Sequence, residues 1–521
     1  MAAVVGAAMV LTACGGGNNA AATTEAAGGS ETQATAESSG GGNITKTDIV
    51  FAQGADIVTL DPAGQQDTTS SVLMKHVYST LMDIDDGNLV PDLAESYEMK
   101  SDTEYTFTLR QDACFSDGTP VTAKDVKFTF DRAKDMPKTK SNTSKIEEVI
   151  ADDDHHVTFK LTQPYAAFKT IITNSNLSIV SEAAVTAAGE SYGDVDNILG
   201  SGEFTVTEWV PNDHYTLARN EKYWGEMPIT TTITCRVIPE GSARAIALEA
   251  GEVDLVWNVD ATDCANIEAN PDVTLLSQTS SSIEYLGMNT TKEKFADVRV
   301  RQAINYALDK QTFVDTIIEG RGSVANSYIN SMIPGWTDEV EAYPYDPAKA
   351  KELLAEAGYP NGFECKIYVN GDVRTRSAQI IQAQLAEVGI TVDISTYEWG
   401  ALLDSLNAGE HEMFLLGWSN SSFDADGSTY QLFYSGNHGA TGNRAFLTDD
   451  KVDELIINAQ KESDDTKRME FYKELQVYLH EISPWCPLYY KNDNVGVRAD
   501  LKGFKLHKGA THYLGNCHYE D

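Results

Sequence analysis

From Asp48 to the C-terminus of this 521-residue chain, segments with a two-residue apolar period and segments with a helical period follow one another without a long polar break. Few architectures accept such a pattern. Helix then strand, repeated, points to α/β lobes whose sheets are covered by helices, and the chain is too long for a single hydrophobic core, so two or more lobes are expected. Tyr105, Phe107 and Leu109 alternate with Thr106 and Thr108, predicting a half-buried strand that ends near Arg110. Asp117-Gly118-Thr119-Pro120 is a turn, and Thr122 with Asp125 three residues later opens a helix that carries Val126 and Phe130. Val157, Phe159 and Leu161 form a second alternating strand, stopped by Pro164.

The second half is more helical. Val300, Ala303, Ile304, Ala307 and Leu308 make one apolar face, and Phe313, Val314, Ile317 and Ile318 make another before Gly320. Asp346 precedes Pro347 at a first helical position; Ala350, Leu353, Leu354 and Ala357 are the buried stripe, and Gly358 the stop. Ile381, Leu385 and Val388 face one way on a helix closed by Gly389, after which Ile390, Val392 and Ile394 alternate as a strand. There is no internal repeat.

The N-terminus has a different grammar. Ala2 to Ala13 is an apolar run ending in Leu11-Thr12-Ala13-Cys14, followed by three glycines. It is too short for a transmembrane helix, which needs ~20 residues, but it suits the core of a signal peptide. Leu-Thr-Ala-Cys resembles a bacterial lipobox, which implies residues 1–14 as a lipoprotein signal and Cys14 as the lipidated residue. No Lys or Arg precedes the apolar run; either the full signal starts upstream or Met1 is an internal methionine. Residues 15–43 are almost wholly Gly, Ala, Ser, Thr, Asn, Gln and Glu, too little apolar surface to offset ordering entropy. They read as a disordered tether spanning ~30 Å on average.

Against 78 Asp and Glu stand 39 Lys and Arg, a formal charge of −39. Such a surface repels nucleic acid and anionic headgroups, which argues against a partner reached through phosphate contacts. Two readings of the excess stand: a solvated acidic face that aids solubility, or a field that draws cationic ligands. Beyond Cys14, the six cysteines Cys114, Cys235, Cys264, Cys365, Cys486 and Cys517 include no CxxC pair, which argues against a zinc ribbon or thioredoxin-type site. Export would permit disulfides, with Cys486 and Cys517 one candidate pair, and buried free thiols are the equal alternative. His507, His512, Cys517 and His518 match no standard metal spacing and read as a surface tail. No metal, cofactor or catalytic residue is expected.

Six stretches, in order, resemble the family of solute-binding proteins that serve ATP-driven importers of peptides, dipeptides and nickel, nearest to the dipeptide-binding branch. They are Pro91 to Glu98 with the Tyr105–Arg110 strand and Phe115 to Val126; Gly200 to Phe204 with Asn220 to Gly225; Ala243-Arg244 through Leu248 to Gly251-Glu252-Val253-Asp254; Asn289 through Val298 to Ala307; Tyr345 to Lys351 through Ala357-Gly358-Tyr359; and Tyr397-Glu398-Trp399-Gly400. The resemblance implies a two-lobed fold of the type II periplasmic-binding-protein kind with an additional inserted domain. Mapped here, lobe one combines residues 44–87, 198–289 and 485–521; the inserted domain is 88–197; the other lobe is 290–484. It also implies hinge closure around a solute, the permease and ATPase subunits of an importer as partners, a monomer, and a place outside the cytoplasm, in the periplasm or anchored at the outer face of the bacterial cytoplasmic membrane.

Capture of a peptide needs partners for its backbone along an extended edge, a cation or N–H nest for its carboxylate and an anion for its ammonium, because an unpaired charge in a dry cleft is costly. Arg374 and Arg376 lie just before the helix face of Ile381. The resemblance places a carboxylate-binding arginine in this region, and Arg376 fits best by its spacing from Gln382; a solvated arginine at a helix start is the alternative. For the ammonium, the resemblance implies an aspartate three residues after Trp418, but that position is Ser421, in the run Ser419-Asn420-Ser421-Ser422. A hydroxyl pairs poorly with an ammonium, so either Asp424 or Asp426 substitutes, or the ligand lacks a free amino end. Tyr397, Trp399 and Trp418 are candidate stacking faces. Thr68, Thr69 and Ser70 sit on a loop that the resemblance turns toward the cleft, and Asn289 completes the candidate ligand-binding set. The expected function is reception of a peptide or peptide-like solute, without chemistry. An oligosaccharide or a nickel chelate as ligand is the alternative. An exported hydrolase is a further one, although no G-x-S-x-G, H-E-x-x-H or P-loop pattern occurs.

Overall fold

The computed structural model describes residues 43–508 and 512–521; the signal, Cys14 and nearly all of the tether lie outside them. The local signals act where expected. Glu104–Leu109 and His156–Leu161 are strands of one four-stranded antiparallel sheet. Thr122 and Asp125 close a reciprocal capping box on the helix Ala123–Ala133. Asp346 accepts from the Lys349 N–H at 2.9 Å and starts Pro347–Glu356, whose Ala350, Leu353 and Leu354 are buried.

The frame is an eleven-stranded sheet that runs through both lobes. At one end Asp48–Gln53 and Thr232–Val237 pair in parallel, with His214–Arg219 and Phe204–Val210 beyond them. At the other, Glu364–Val369 pairs in parallel with Thr391–Thr396, the helix Gly371–Glu387 crossing between them. Two long antiparallel strands join the ends: Val273–Met288 and Trp485–Arg498. Their register holds from Val273–Arg498 to Thr279–Asn492, breaks, and resumes at Ile283–Tyr490. The break is polar: Ser280 Oγ donates to the Lys491 carbonyl at 2.8 Å, and Asn330 Nδ2 to the Ser282 carbonyl at 2.6 Å. On one side of it Val495 and Val497 join the first lobe's core, and on the other Ile283, Tyr285, Leu286 and Met288 join the second lobe's.

The inserted domain has its own core from Leu81 to Ile179. Packing changes partner between Ile179 and Val180, so Val180, Val185 and Tyr192 belong to the first lobe although the expected boundary lay at residue 197. The histidine-rich C-terminus is a correction to the sequence reading. His507, His512, Cys517 and His518 are buried, Cys517 in the first lobe's core, and do not form a surface tail. Cys486 sits in the second lobe's core, and both it and Cys517 are free thiols; the candidate disulfide is absent because the two belong to different cores. Among the described residues no helix is long and apolar enough to cross a membrane.

Candidate functional site

A cavity of about 600 Å³ opens where the first lobe, the inserted domain and the second lobe meet. The first lobe contributes the start of the helix Thr68–Val77. Asp67 caps it by accepting from the Ser70 N–H at 2.9 Å, which leaves Thr68, Thr69 and Ser71 on the cavity wall. Burial raises the Asp67 carboxyl above its ordinary range. Ser70 does not line the cavity: its hydroxyl is buried and accepts from the Val58 N–H at 3.0 Å. The inserted domain adds Lys138, Asn142 and the stretch from Thr173 to Asn176.

The second lobe presents the end of the strand Met413–Ser419 and the loop after it. Trp418, Ser419 and Ser421 line the cavity, as does Trp399 at the head of the helix Trp399–Asn407. The Trp418 indole N–H has no protein partner. Gly417 lies opposite Glu284 on the central strand, and a Cβ there would fall 2.4 Å from the Glu284 carboxylate, so glycine leaves that carboxylate the room in which it meets Arg374. Phe423 holds φ at +50°, a left-handed turn that hands the loop to the helix Ala425–Phe433.

At the cavity floor Arg374 donates through Nε and Nη2 to Glu284, and through Nη1 to Asn370 Oδ1 at 2.8 Å. The Glu284 carboxylate raises the Arg374 guanidinium above its ordinary range against the pull of burial. Three N–H groups of the fork are used, which leaves two for a ligand. Arg376 is not among the lining residues. Two residues on along a helix turn a side chain through ~200°, so Arg374 and Arg376 point from opposite faces, and the Arg376 Nε is buried without a partner.

Asp424 and Asp426 also lie off the cavity. Asp424 is buried and ion-paired with Arg468, and it caps its own helix by accepting from the Asp426 N–H. Asp426 accepts from Tyr165 Oη of the inserted domain at 2.6 Å and from Gln460 Nε2 at 2.8 Å. Burial, then the neighbouring Asp424, pushes its carboxyl up to about 6. The same seam carries the Ala166 N–H on the Gln460 carbonyl at 2.8 Å, Ser144 against Tyr430 Oη at 3.1 Å, and Gln431 Nε2 on Asn142 Oδ1 at 2.6 Å. The seam holds the inserted domain against the second lobe beside the cavity. Tyr397 packs on Tyr368 with ring centroids 4.9 Å apart, and buried Asn289 donates to the Gly409 and His411 carbonyls; neither lines the cavity.

Several lining residues had no sequence signal. Glu284 sits in a strand masked by a polar run, and Lys138, Asp404 and Arg444 lie in no recognisable motif. Asp85, Asp86 and His507 bring three possible metal-ligating atoms within 4.8 Å of one another, but Lys505 already pairs with Asp86, and His507 with Asp85.

Residues 88–440 match the model of the bacterial extracellular solute-binding proteins, family 5. The glutathione-binding protein GsiB of Shigella boydii serotype 4 is 32% identical over 471 residues, 88% of this chain and 91% of that protein. The periplasmic binding protein DppA of Helicobacter pylori, solved with the peptide STSA, superposes with a TM-score of 0.87 at 30% identity, covering 91% of this chain and 98% of that one. AgaA from A. tumefacien R10, solved with agropinic acid, gives 0.85 at 28% identity, covering 91% and 99%. With the match covering more than half of its length, this chain belongs to family 5 of the bacterial extracellular solute-binding proteins.

Proposed function

We propose that the protein is the extracytoplasmic receptor of an ATP-driven importer, enclosing a short peptide or peptide-like solute between its lobes without altering it. The observation that carries this reading is the Arg374–Glu284 pair on the cavity floor. It offers a guanidinium fork with spare N–H groups beside a carboxylate, so one end of a zwitterion meets donors and the other an acceptor. Ser419, Ser421 and Asn174 to Asn176 offer the hydrogen bonds that an extended backbone needs, and Trp399 and Trp418 offer apolar walls. GsiB is named for glutathione, a peptide, and DppA holds a tetrapeptide, which supports the same class. With Ser421 in the cavity and Asp424 and Asp426 committed elsewhere, the lining carboxylates that an ammonium could meet are Glu284 and Asp404, the latter without an ion pair among the described residues.

Native mass spectrometry of the purified protein, with a thermal-shift screen over di- to tetrapeptides, glutathione, oligosaccharides and nickel chelates, tests the reading. One intact peptide-like molecule per chain is expected. Stabilisation by sugars or chelates alone, or recovery of the peptide in cleaved form, would overturn it. The lipid anchor at Cys14 is part of the proposal: Cys14→Ser should move the protein from membranes to the soluble fraction with ligand affinity unchanged, and a variant that stays on the membrane removes the anchor.

A further inference from the structure

The charge of the cavity contrasts with that of the whole chain. Lys75 pairs with Asp83, and Arg374 with Glu284. What remains on the lining is Lys138, Arg444 and Lys491 against Asp67 and Asp404, an excess of cations in a protein of formal charge −39. Two of the three reach the cavity wall from different bodies. Lys138 belongs to the inserted domain, a few residues before Asn142, whose side chain meets Gln431 of the second lobe at 2.6 Å. Arg444 comes from the second lobe. It is 8% exposed, and among the described residues its side chain bonds only from Nε to the neutral Asn407 Oδ1, at 3.1 Å. Among the described residues neither cation forms an ion pair. Burial, then Arg444, lowers the Lys138 ammonium below its ordinary range, as two like charges sharing a poorly hydrated space require.

Asp67 and Asp404 act on the Lys138 charge without pairing with it, while burial lowers the Arg444 guanidinium with no carboxylate partner among the described residues; holding two such cations costs stability, and that cost is relieved when an anion enters. We propose that Lys138 and Arg444 form a second carboxylate pole, separate from Arg374, and that the natural solute is a short peptide carrying two carboxylates. The proposal rests on the peptide reading above and narrows it. Because the two cations stand on different jaws, the bridging carboxylate also draws the inserted domain onto the second lobe, so recognition and closure are one event. Asp404, exposed and near enough to act on the Lys138 charge, is placed for an ammonium beside that carboxylate.

Calorimetry on the full chain with matched probes tests this: Ala-Glu-Ala against Ala-Gln-Ala, and reduced glutathione against its glycine ethyl ester. In the wild type the dicarboxylate of at least one pair should bind about tenfold tighter or more. Lys138→Gln should erase that preference while leaving the weaker partner within about twofold, and Lys138→Arg should restore it, as charge on that jaw demands. Arg444→Gln should act in the same direction. Peptides that bind with no preference for the second carboxylate, or a Lys138→Gln variant that weakens both partners equally, would overturn the second pole and leave the peptide receptor standing. If no peptide of either pair or of the wider screen binds the wild type, the peptide reading falls and this inference with it.

Discussion

Arg374 and Arg376 show how far single residues could be read. Their helix was evident from Ile381, Leu385 and Val388, and an arginine in this segment was expected to meet a carboxylate. Which of the two faces the cavity depends on Glu284, 90 residues earlier in the chain, and no local pattern encodes that contact. Asp424 and Asp426 followed the same logic: loop-like in sequence, they are claimed by Arg468 and by Tyr165, the latter 261 residues away. Arg374→Ala should therefore have two effects. Ligand affinity should fall by about tenfold or more with the loss of the fork, and stability by roughly 3 kcal/mol, because Glu284, 5% exposed, is left without its partner. Arg376→Ala should leave affinity within about twofold. Calorimetry and urea unfolding of both variants check this, and a larger affinity loss in Arg376→Ala would reverse the assignment.

Elements were legible where their signals are local. The capping box at Thr122, the aspartate before Pro347 and the alternating strands of the inserted domain formed as their residues dictate. The strand Val273–Met288 was hidden because Ser277 to Ser282 is polar, and such residues suit a strand that leaves one core before it enters the next. The seam between the inserted domain and the second lobe was equally hidden, since its partners are hundreds of residues apart. It yields a pH prediction. Asp426 faces Tyr165, Gln460, Asp424, Arg468, Tyr472 and Lys145, and its carboxyl is raised to about 6 while the seam is shut. Opened to water it returns toward ~3.8. A group with the higher pKa in the closed form takes up a proton on closing, so closure is favoured below ~pH 4 to 6 and loses that contribution as pH rises through 6. Ligand affinity should weaken by up to about tenfold between pH 5 and 7.5 from this group. Asp426→Asn, which mimics the protonated carboxyl, should flatten that slope relative to wild type, the comparison that cancels His507 and the ligand's own groups. An identical pH profile in both proteins would show that Asp426 does not report on closure.

At the largest scale, the first and second lobes have separate cores and are joined by two strands that lose register at one level. The first lobe's core and the second lobe's cores share no residue, and the chain passes between the lobes only along Val273–Met288 and Trp485–Arg498. Bending there costs few contacts. Ser280, Ser281 and Ser282 interrupt the ladder and belong to no apolar cluster, and the Ser281 hydroxyl is buried without a partner, so a change of backbone angle there breaks mainly hydrogen bonds that water can replace. What opposes opening is the polar seam, with its Tyr165–Asp426 and Gln431–Asn142 bonds, and polar groups lose little on exposure because water takes over as partner. Without solute, then, the open form should be well populated, and a ligand that bridges Lys138 and Arg444 should close it. Small-angle scattering checks this on the intact protein: the ligand-free sample should have the larger radius of gyration and maximum dimension, both shrinking on saturation with a bound peptide, and Tyr165→Phe should need more ligand to reach the same compact curve. Scattering that is the same with and without a peptide shown by calorimetry to be bound would mean that the lobes do not move, and that the solute enters a cleft already shut.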